Sequence, residues 1–224
     1  MINNVTQLYE TSENNENNVN LKELFENVKS RYISKVNIWI GSPFEFLRKL
    51  SLDERGKWGE DFIQALVKAI TTLKVIWEGD KNTGREDGAV FDMFINLLKT
   101  EVKTATQSTT GYTYQHENIY KEGKDWEGKD GTKWDKVLFL DITPTGFYIT
   151  IIDRDDFYFE EPHPILEKRA TLRTTHSKAY KFDTSRAVLN RGIEAGYTIY
   201  VDMKNMGNGT FKELGEFFEK HFSD

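Results

Sequence analysis

The chain has 224 residues, a net charge of −6 and no cysteine, and it contains 15 Phe, 10 Tyr and 5 Trp. This length and aromatic content predict a folded protein with a substantial core. The missing cysteine excludes a disulfide framework, a thiolate zinc site and a cysteine nucleophile, and it is typical of a reducing cytoplasm. The acidic balance argues against a protein that coats nucleic acid. No run approaches the roughly 20 apolar residues of a membrane span, and no signal peptide is recognisable, so we expect no membrane association.

The N-terminal part of the chain combines a polar leader with a helical pattern. Residues 1–20 are predicted to be a disordered or loosely ordered leader, because residues 10–20 are polar and nearly free of apolar side chains. We expect the remaining residues, 21–224, to form a single domain. From Leu21 to about Val36, apolar residues recur at helical spacing, which predicts a helix.

A second helical pattern carries the first candidate site residue. After a short helix predicted at 43–50, Ser51 or Asp53 is expected to cap a helix that runs to about Leu73. A short strand is expected at 75–77. Glu60 lies at the N-terminal end of an apolar stripe of the longer helix. An acid at that place either caps the edge of the core, which is the more common case, or points into a site.

The segment 92–103 is predicted to form two short strands joined by a tight turn at Asn96 and Leu97. Apolar residues fill most of both strands, and three charged residues interrupt them. The expected antiparallel pairs are Ile95–Leu98, Phe94–Lys99, Met93–Thr100 and Asp92–Glu101.

The charged residues of this hairpin form a candidate metal site. Asp92 and Glu101 would face each other with Cβ atoms about 4.5–5.5 Å apart, where like charges are destabilising and a divalent cation removes the repulsion. Lys103 shares their face, because side chains two apart on a strand point the same way. Mg²⁺ prefers oxygen ligands of this kind, and the lysine can position a nucleophilic water. The alternative is an ordinary solvent-facing hairpin, and a register slip by a single residue would turn Asp92 to the other face.

Hydroxyl and amide side chains follow Lys103 directly. Residues 104–110 are predicted to form a flexible loop that contacts phosphates. Its candidate contact residues are Thr104, Thr106, Gln107 and Ser108. Residues 114–120, which include Gln115, are predicted to form one or two helical turns. His116 is interpreted as a structural histidine rather than as a ligand.

The C-terminal half alternates polar loops with predicted core strands. Residues 121–136 are polar and predict a loop. Apolar runs at 137–142 and 147–152 predict a hairpin of buried strands. A later strand is expected at 197–201, and an amphipathic helix is expected at 211–222.

Residues 166–191 differ in charge from the rest of the chain, with seven positive and two negative side chains and therefore a net charge of +5. The positive residues are Lys168, Arg169, Arg173, Lys178, Lys181, Arg186 and Arg191, and the negative ones are Glu167 and Asp183. This segment is either a solvated surface or a patch that neutralises nucleic-acid phosphates.

The order of these features resembles the PD-(D/E)XK nuclease superfamily, and more narrowly its type II restriction endonucleases. An acid on an early helix, an Asp on a strand, Glu-x-Lys on the next strand and two apolar core strands follow one another within residues 51–152. The resemblance implies an α/β (α+β) fold with a restriction-endonuclease-like core, in which a mixed central sheet is flanked by helices. A helix that carries a glutamine packs near the site in some of these enzymes, and the segment around Gln115 is similar to it.

The resemblance also implies roles for individual residues. Asp92 and Glu101 would bind Mg²⁺, and the Val102 carbonyl would add a ligand. Lys103 would assist the attacking water, and Glu60 would support the metal site.

The implied reaction is Mg²⁺-dependent hydrolysis of phosphodiester bonds in double-stranded DNA at a specific short sequence, by a homodimer in the cytoplasm. Phe91 stands where the proline of the motif would precede the metal-binding Asp, and Asp87 competes with Asp92 as the ligand. The expected DNA contacts outside the loop at 104–110 are Gln115, Lys168, Arg169, Arg173 and Lys178.

Other interpretations remain open on the sequence alone. A repair nuclease or junction nuclease of the same superfamily would share the site and cut by DNA structure rather than by sequence. A non-catalytic DNA-binding or regulatory protein would keep the fold without the reaction. A structural domain with an incidental charged hairpin would show no dependence on Mg²⁺.

Overall fold

The computed structural model describes residues 37–77, 91–108, 111–120, 134–157, 170–172, 179–205 and 208–223. All the described helices and strands belong to one compact unit, Ile38–Asp224. None of the helices among them is long and apolar enough to cross a membrane. Some predictions fall outside the described residues: the leader at 1–20, the helix from Leu21, Asp87, the loop at 121–133, and the basic residues Lys168, Arg169, Arg173 and Lys178.

The described helices are α1 at Leu52–Ile70, α2 at Arg154–Phe157, α3 at Arg186–Ala195 and α4 at Asn208–Phe222, with a 3-10 helix at Glu45–Lys49 before them. The described strands are β1 at Val75–Trp77, β2 at Met93–Ile95, β3 at Leu98–Thr106, β4 at Thr113–Tyr120, β5 at Lys136–Ile142, β6 at Gly146–Asp153, β7 at Ala170–Leu172, β8 at Ala179–Ser185 and β9 at Thr198–Asp202.

The described strands form two sheets. The larger has six strands in the order β1-β2-β3-β5-β6-β9, and the smaller has three in the order β4-β8-β7. In the larger sheet β3 and β5 run parallel, and the other neighbouring pairs run antiparallel. The protein is therefore an α/β protein with a mixed central sheet flanked by helices, as the sequence predicted.

The two faces of the larger sheet bury different cores. On one face, Ile63 and Val67 of α1 and Phe218 of α4 are fully buried in a single cluster with Val102 of β3. On the other face, β5 packs against the smaller sheet and α3. Because side chains alternate along a strand, the odd-numbered residues of β3 face away from α1. Ala105 of β3 accordingly packs in a cluster that lies on the side of the smaller sheet.

The β2–β3 hairpin has the predicted turn and three of the four predicted pairs, but the predicted pair Asp92–Glu101 is not formed, because β2 begins at Met93. Its three ladder pairs are Met93–Thr100, Phe94–Lys99 and Ile95–Leu98. Asn96 and Leu97 have φ angles of 47° and 72°, the positive values that a type I′ two-residue turn requires. A leucine is unusual there, and its side chain is 74% exposed.

Other predicted elements are also confirmed. Ser51 caps α1, and its hydroxyl and the Glu54 carboxylate form a capping box. The strand at 75–77, the buried hairpin of β5 and β6 and the strand β9 lie at the expected places. The last helix is slightly longer than expected, since α4 begins at Asn208.

The prediction of helical turns at 114–120 is wrong, because this segment forms β4. Tyr114 and His116 are each 2% exposed, whereas Gln115 between them is exposed. This alternation has the period of two that belongs to a strand, and the segment is rich in aromatic and β-branched residues. The helix that carries a glutamine in the resembled family is therefore not found at this segment.

The prediction of a loop at 104–110 is wrong for residues 104–106, since β3 continues to Thr106, whereas residues 107 and 108 lie in no helix or strand and 109 and 110 are outside the described residues. Parallel pairing with β5 as far as Thr106–Ile142 supplies the backbone hydrogen bonds that extend the strand. Lys136, placed at the end of the predicted loop 121–136, instead begins β5. Within the basic segment 166–191, the described residues form β7, β8 and the first half of α3, which the sequence did not predict.

A buried polar cluster joins the two sheets. Asp141 of β5 accepts a hydrogen bond of 2.8 Å from Thr184 of β8, and its other oxygen lies 2.7 Å from His116 Nε2 of β4. All three residues are almost completely buried, and the His116 ring packs 4.7 Å from the ring of Phe139. His116 is thus structural, as expected, and one carboxylate links β5 to two strands of the smaller sheet.

Gly59 sets the distance between α1 and β3. A Cβ added at Gly59 would overlap Thr104 Oγ1 and lie 2.9 Å from Thr104 Cβ, so the helix backbone rests directly on the strand. Gly56, one turn earlier on the same helix, has no atom within 4 Å of such a Cβ.

We predict that Gly59→Ala destabilises the protein by about 1–3 kcal/mol, because the added methyl group overpacks the contact with Thr104. The matched control Gly56→Ala should be neutral or stabilise by about 0.5–1 kcal/mol, since it gains helix propensity in open space. Urea unfolding measures both changes, and Gly59→Ala combined with Thr104→Ala should recover part of the loss. Equal effects of the two single substitutions would contradict this account.

The titration of His221, in the last turn of α4, should make the stability of the protein depend on pH. Burial lowers the pKa of His221, although the Gly196 carbonyl oxygen, 3.0 Å from Nε2, opposes the shift. Lys220 and Lys136 lower the pKa further, and Asp153 raises it. Protonation therefore favours the unfolded chain, and this stability is present above the ordinary histidine pKa of about 6.5 and is lost as the pH falls through it.

His221→Gln keeps a donor for the Gly196 carbonyl and does not titrate. Unfolding midpoints in urea, measured from neutral to mildly acidic pH, should fall less steeply for this variant than for the wild type. Parallel curves for the two proteins would show that His221 does not contribute.

Candidate active site

Asp92 ends the pairing between β2 and β3. Its backbone N–H donates to the Thr100 carbonyl at 3.0 Å, and its carboxylate accepts a hydrogen bond of 2.7 Å from the Val102 N–H. A side chain thus takes the place of the next ladder bond, and the described part of β2 pairs with no residue of β3 beyond Thr100. The edge of β3 from Val102 to Thr106 begins where the Asp92 carboxylate lies.

Glu101 and Lys103 form an ion pair on the odd-numbered face of β3. Lys103 Nζ lies 2.5 Å from Glu101 Oε1, and the Glu101 and Lys103 side chains are 13% and 22% exposed. Residues two apart on a strand share a face, which is the geometry predicted for this pair. The partial burial makes the pair stronger than one in open solvent, where such pairs contribute little.

The carboxylates of the site determine the protonation of Lys103. Burial alone lowers the pKa of Lys103, but the negative charges of Glu101, Asp92 and Glu60 outweigh it, and the net shift is upward. The side chain is therefore an ammonium at neutral pH. The stability that this charge provides persists through neutral pH and is lost only as the pH rises above the ordinary lysine range.

Glu60 reaches the site from α1. The close contact of Gly59 with Thr104 brings the next residue, Glu60, over the edge of β3, and its half-buried carboxylate contributes to the field at Lys103. Lys103 thus contacts Glu101 directly, and the charges of the other two predicted acidic residues, Asp92 and Glu60, also act on it.

The donor atoms at this edge can be compared with the needs of a metal ion. The described residues contain no group of three His, Cys, Asp or Glu side chains arranged to hold one. They do offer two carboxylates, those of Asp92 and Glu101, and the Val102 carbonyl. That carbonyl lies on the same edge as the Val102 N–H bonded to Asp92, since both backbone groups of a strand residue point to one side. This set fits Mg²⁺, which takes one or two carboxylates and keeps several waters.

The predicted contacts from the end of β3 are placed differently from what the sequence indicated. Thr104 Oγ1 is buried beneath α1 with no hydrogen-bond partner among the described residues, and Gln107 is 7% exposed. Thr106 accepts a hydrogen bond from Arg55, and Ser108 is half-buried. Gln115 is exposed on β4. The hydroxyl of Thr104 and the side chain of Gln107 are therefore buried in this conformation, although Thr104 as a whole is half-buried.

Arg48 and Arg55 are residues that the sequence analysis did not single out. Arg55 Nη1 donates to Thr106 Oγ1 at 3.1 Å, on the same strand as Glu101 and Lys103. The available signal was its position, because Arg55 lies on the helix that carries Glu60 and precedes it by five residues.

Comparisons of the chain with protein-family models, with curated proteins and with solved structures found no match. The functional interpretation therefore depends on the chemistry of the site.

We predict that Lys103→Met lowers the stability of the metal-free protein by about 1–2 kcal/mol, a discounted value for a partly exposed pair. The substitution leaves the carboxylates of Glu60, Asp92 and Glu101 without their internal cation. Adding Ca²⁺ should then raise the thermal unfolding temperature of the variant more than that of the wild type. Lys99→Met, on the same strand and face, is the control, and an equal response of both variants to Ca²⁺ would contradict the prediction.

Proposed function

We propose that this protein is a Mg²⁺-dependent endonuclease that hydrolyses phosphodiester bonds in double-stranded DNA at a specific short sequence. The observation that carries the proposal is the Glu101–Lys103 ion pair at the edge of β3 where the Asp92 carboxylate ends the β2 ladder. The sequence resemblance to type II restriction endonucleases gives the same assignment.

The acidic residues of the site would hold the cation. Asp92 and Glu101 would each supply a carboxylate oxygen, and Val102 would supply its carbonyl. Glu60 would accept hydrogen bonds from the waters that Mg²⁺ retains. When bound, Mg²⁺ would polarise the scissile phosphoryl group and stabilise charge on the attacking and leaving oxygens.

Lys103 would act through its charge. Because the neighbouring carboxylates raise its pKa, it is protonated at neutral pH and is not the base that removes a proton from water. Its ammonium would instead donate hydrogen bonds to the attacking water and to a non-bridging phosphate oxygen, and so orient the nucleophile for attack. This role depends on close geometry, which the rigid strand β3 provides.

The remaining parts of the proposal concern specificity and assembly. Base-specific contacts would come from the basic segment 166–191, where an arginine can contact guanine in the major groove. Cutting both strands of a symmetric site would suit a two-fold homodimer acting on cytoplasmic DNA. The alternative nuclease, which recognises DNA structure, would use the same site residues and differ only in substrate.

The test is incubation of the purified protein with plasmid and phage DNA, in Mg²⁺ and in EDTA. Lys103→Ala should lower the cleavage rate by about 100-fold or more, because a group that acts in the transition state is lost. Its binding to DNA in Ca²⁺ should change far less. Lys99→Ala, which removes a positive charge from the same face of β3, should cleave at the wild-type rate.

Each outcome identifies a different function. Discrete fragments that require Mg²⁺ and Lys103 would support a sequence-specific endonuclease, and their ends would give its site. A Mg²⁺-dependent smear, or cleavage restricted to branched substrates, would leave a nuclease without this specificity. Wild-type turnover by Lys103→Ala, or no cleavage together with no DNA binding in Ca²⁺, would contradict the proposal.

A further inference from the structure

Arg55 is held in one orientation by two hydrogen bonds. Its Nε donates to the Ser51 carbonyl at 3.3 Å, and its Nη1 donates to Thr106 Oγ1 at 3.1 Å. The side chain is half-buried between the first turns of α1 and the end of β3. Of the five N–H groups of a guanidinium, these contacts use two and leave three for another acceptor. The ordering cost of the side chain has therefore been met before any ligand binds.

The charge of Arg48 acts on Arg55 and has the same sign. Burial is the larger cause that lowers the pKa of Arg55, and the positive charge of Arg48 lowers this pKa further. Within the described part of the chain, neither arginine lies within 4.0 Å of a carboxylate oxygen. Arg48 is exposed, and its Cζ lies 5.9 Å from the centre of the Trp39 ring. An anion bound by Arg55 would also offset the repulsion between the two guanidinium groups.

The position of Arg55 relates this pair to the candidate active site. Thr106 follows Lys103 by three residues, which is about 10 Å along a strand. Helix α1 runs back along β3, so that Arg55 lies near Thr106, Gly59 lies on Thr104 and Glu60 lies near Lys103. Thr106 is an even-numbered residue of β3, so Arg55 lies on the face that packs against α1, further along the strand than Lys103, whose side chain is on the opposite face.

We propose that Arg55, with Arg48 beside it, forms a binding site for a backbone phosphate of the DNA strand that is cut. The distance of about 10 Å along β3 places this phosphate within about three nucleotides of the scissile bond. Arg55 would contact it with the N–H groups that remain free of the protein, and Arg48 would add charge from the solvent side. This inference depends on the proposed nuclease function and adds to it a substrate contact that lies outside the basic segment 166–191.

A backbone phosphate is anionic and accepts several hydrogen bonds at once, so it matches the planar guanidinium of Arg55. Thr106 has a positioning role, because its hydroxyl orients Arg55 and does not itself need to contact DNA. This role explains why the hydroxyl of Thr106, at the end of β3, accepts a hydrogen bond from Arg55 of α1.

The experiment measures the affinity for a short random-sequence duplex in Ca²⁺ without Mg²⁺ at several salt concentrations. Arg55→Gln should weaken binding by about five- to tenfold and reduce the slope of log K against log salt by about 0.9, the value for one phosphate contact. Arg48→Gln should give a smaller reduction. Lys68→Gln removes a positive charge from the far end of the same helix and should leave the slope unchanged.

Thr106→Val separates orientation from charge. It keeps the positive charge of Arg55 and removes the acceptor that fixes the guanidinium. The variant should bind the duplex less tightly than the wild type with a salt slope closer to that of the wild type than to that of Arg55→Gln. If Arg55→Gln does not fold, as a thermal melt would show, the Arg48→Gln and Thr106→Val variants carry the test.

The outcomes distinguish this inference from the function on which it depends. A wild-type protein that binds DNA and cuts it, together with an unchanged salt slope in Arg55→Gln and Arg48→Gln, would overturn the phosphate site alone. An equal reduction in Lys68→Gln would overturn it as well, because the effect would then come from overall charge. A wild-type protein that binds no DNA would overturn both proposals.

Discussion

The contact between Gly59 of α1 and Thr104 of β3 is the constraint on which the candidate site depends. Because Gly59 has no side chain, the helix rests on the strand at a distance that no other residue would permit. The residues on either side of this contact are then fixed relative to β3. Glu60 lies near Lys103, and Arg55 reaches Thr106. A single close approach therefore sets the positions of an acidic and a basic side chain of α1 along β3.

Charge is balanced differently in two parts of β3, around Lys103 on one face and around Thr106 on the face that packs against α1. Lys103 is the internal cation for the carboxylates of Glu60, Asp92 and Glu101, and the described residues offer no corresponding anion to Arg48 and Arg55. The first part suits a divalent cation and the second an anion, and these are the two charged components of a metal–phosphodiester complex. The net charge of −6 is thus compatible with DNA binding, because the distribution of charge matters more than its sum.

The smaller sheet supports the site from the other face. Asp141 of β5 binds both His116 of β4 and Thr184 of β8, and Phe139, the ladder partner of Lys103, packs against the His116 ring. Buried hydrogen bonds of this kind are costly to leave unmade, and they therefore favour one register between the sheets. The strand that carries Glu101 and Lys103 is held between α1 on one face and this layer on the other.

The sequence by itself determined the elements whose causes are local. The turn at Asn96 and Leu97, the Ser51 cap and the apolar strands β5 and β6 all follow from neighbouring residues, and so does the shared face of Glu101 and Lys103. Tertiary structure decided the rest. β4 is a strand because β8 pairs with it, and β3 extends to Thr106 because β5 does. The hydrogen bond from Arg55 to Thr106 spans 51 positions, and those of Asp141 with His116 and Thr184 span 25 and 43. Such partners depend on how the elements pack rather than on local propensity.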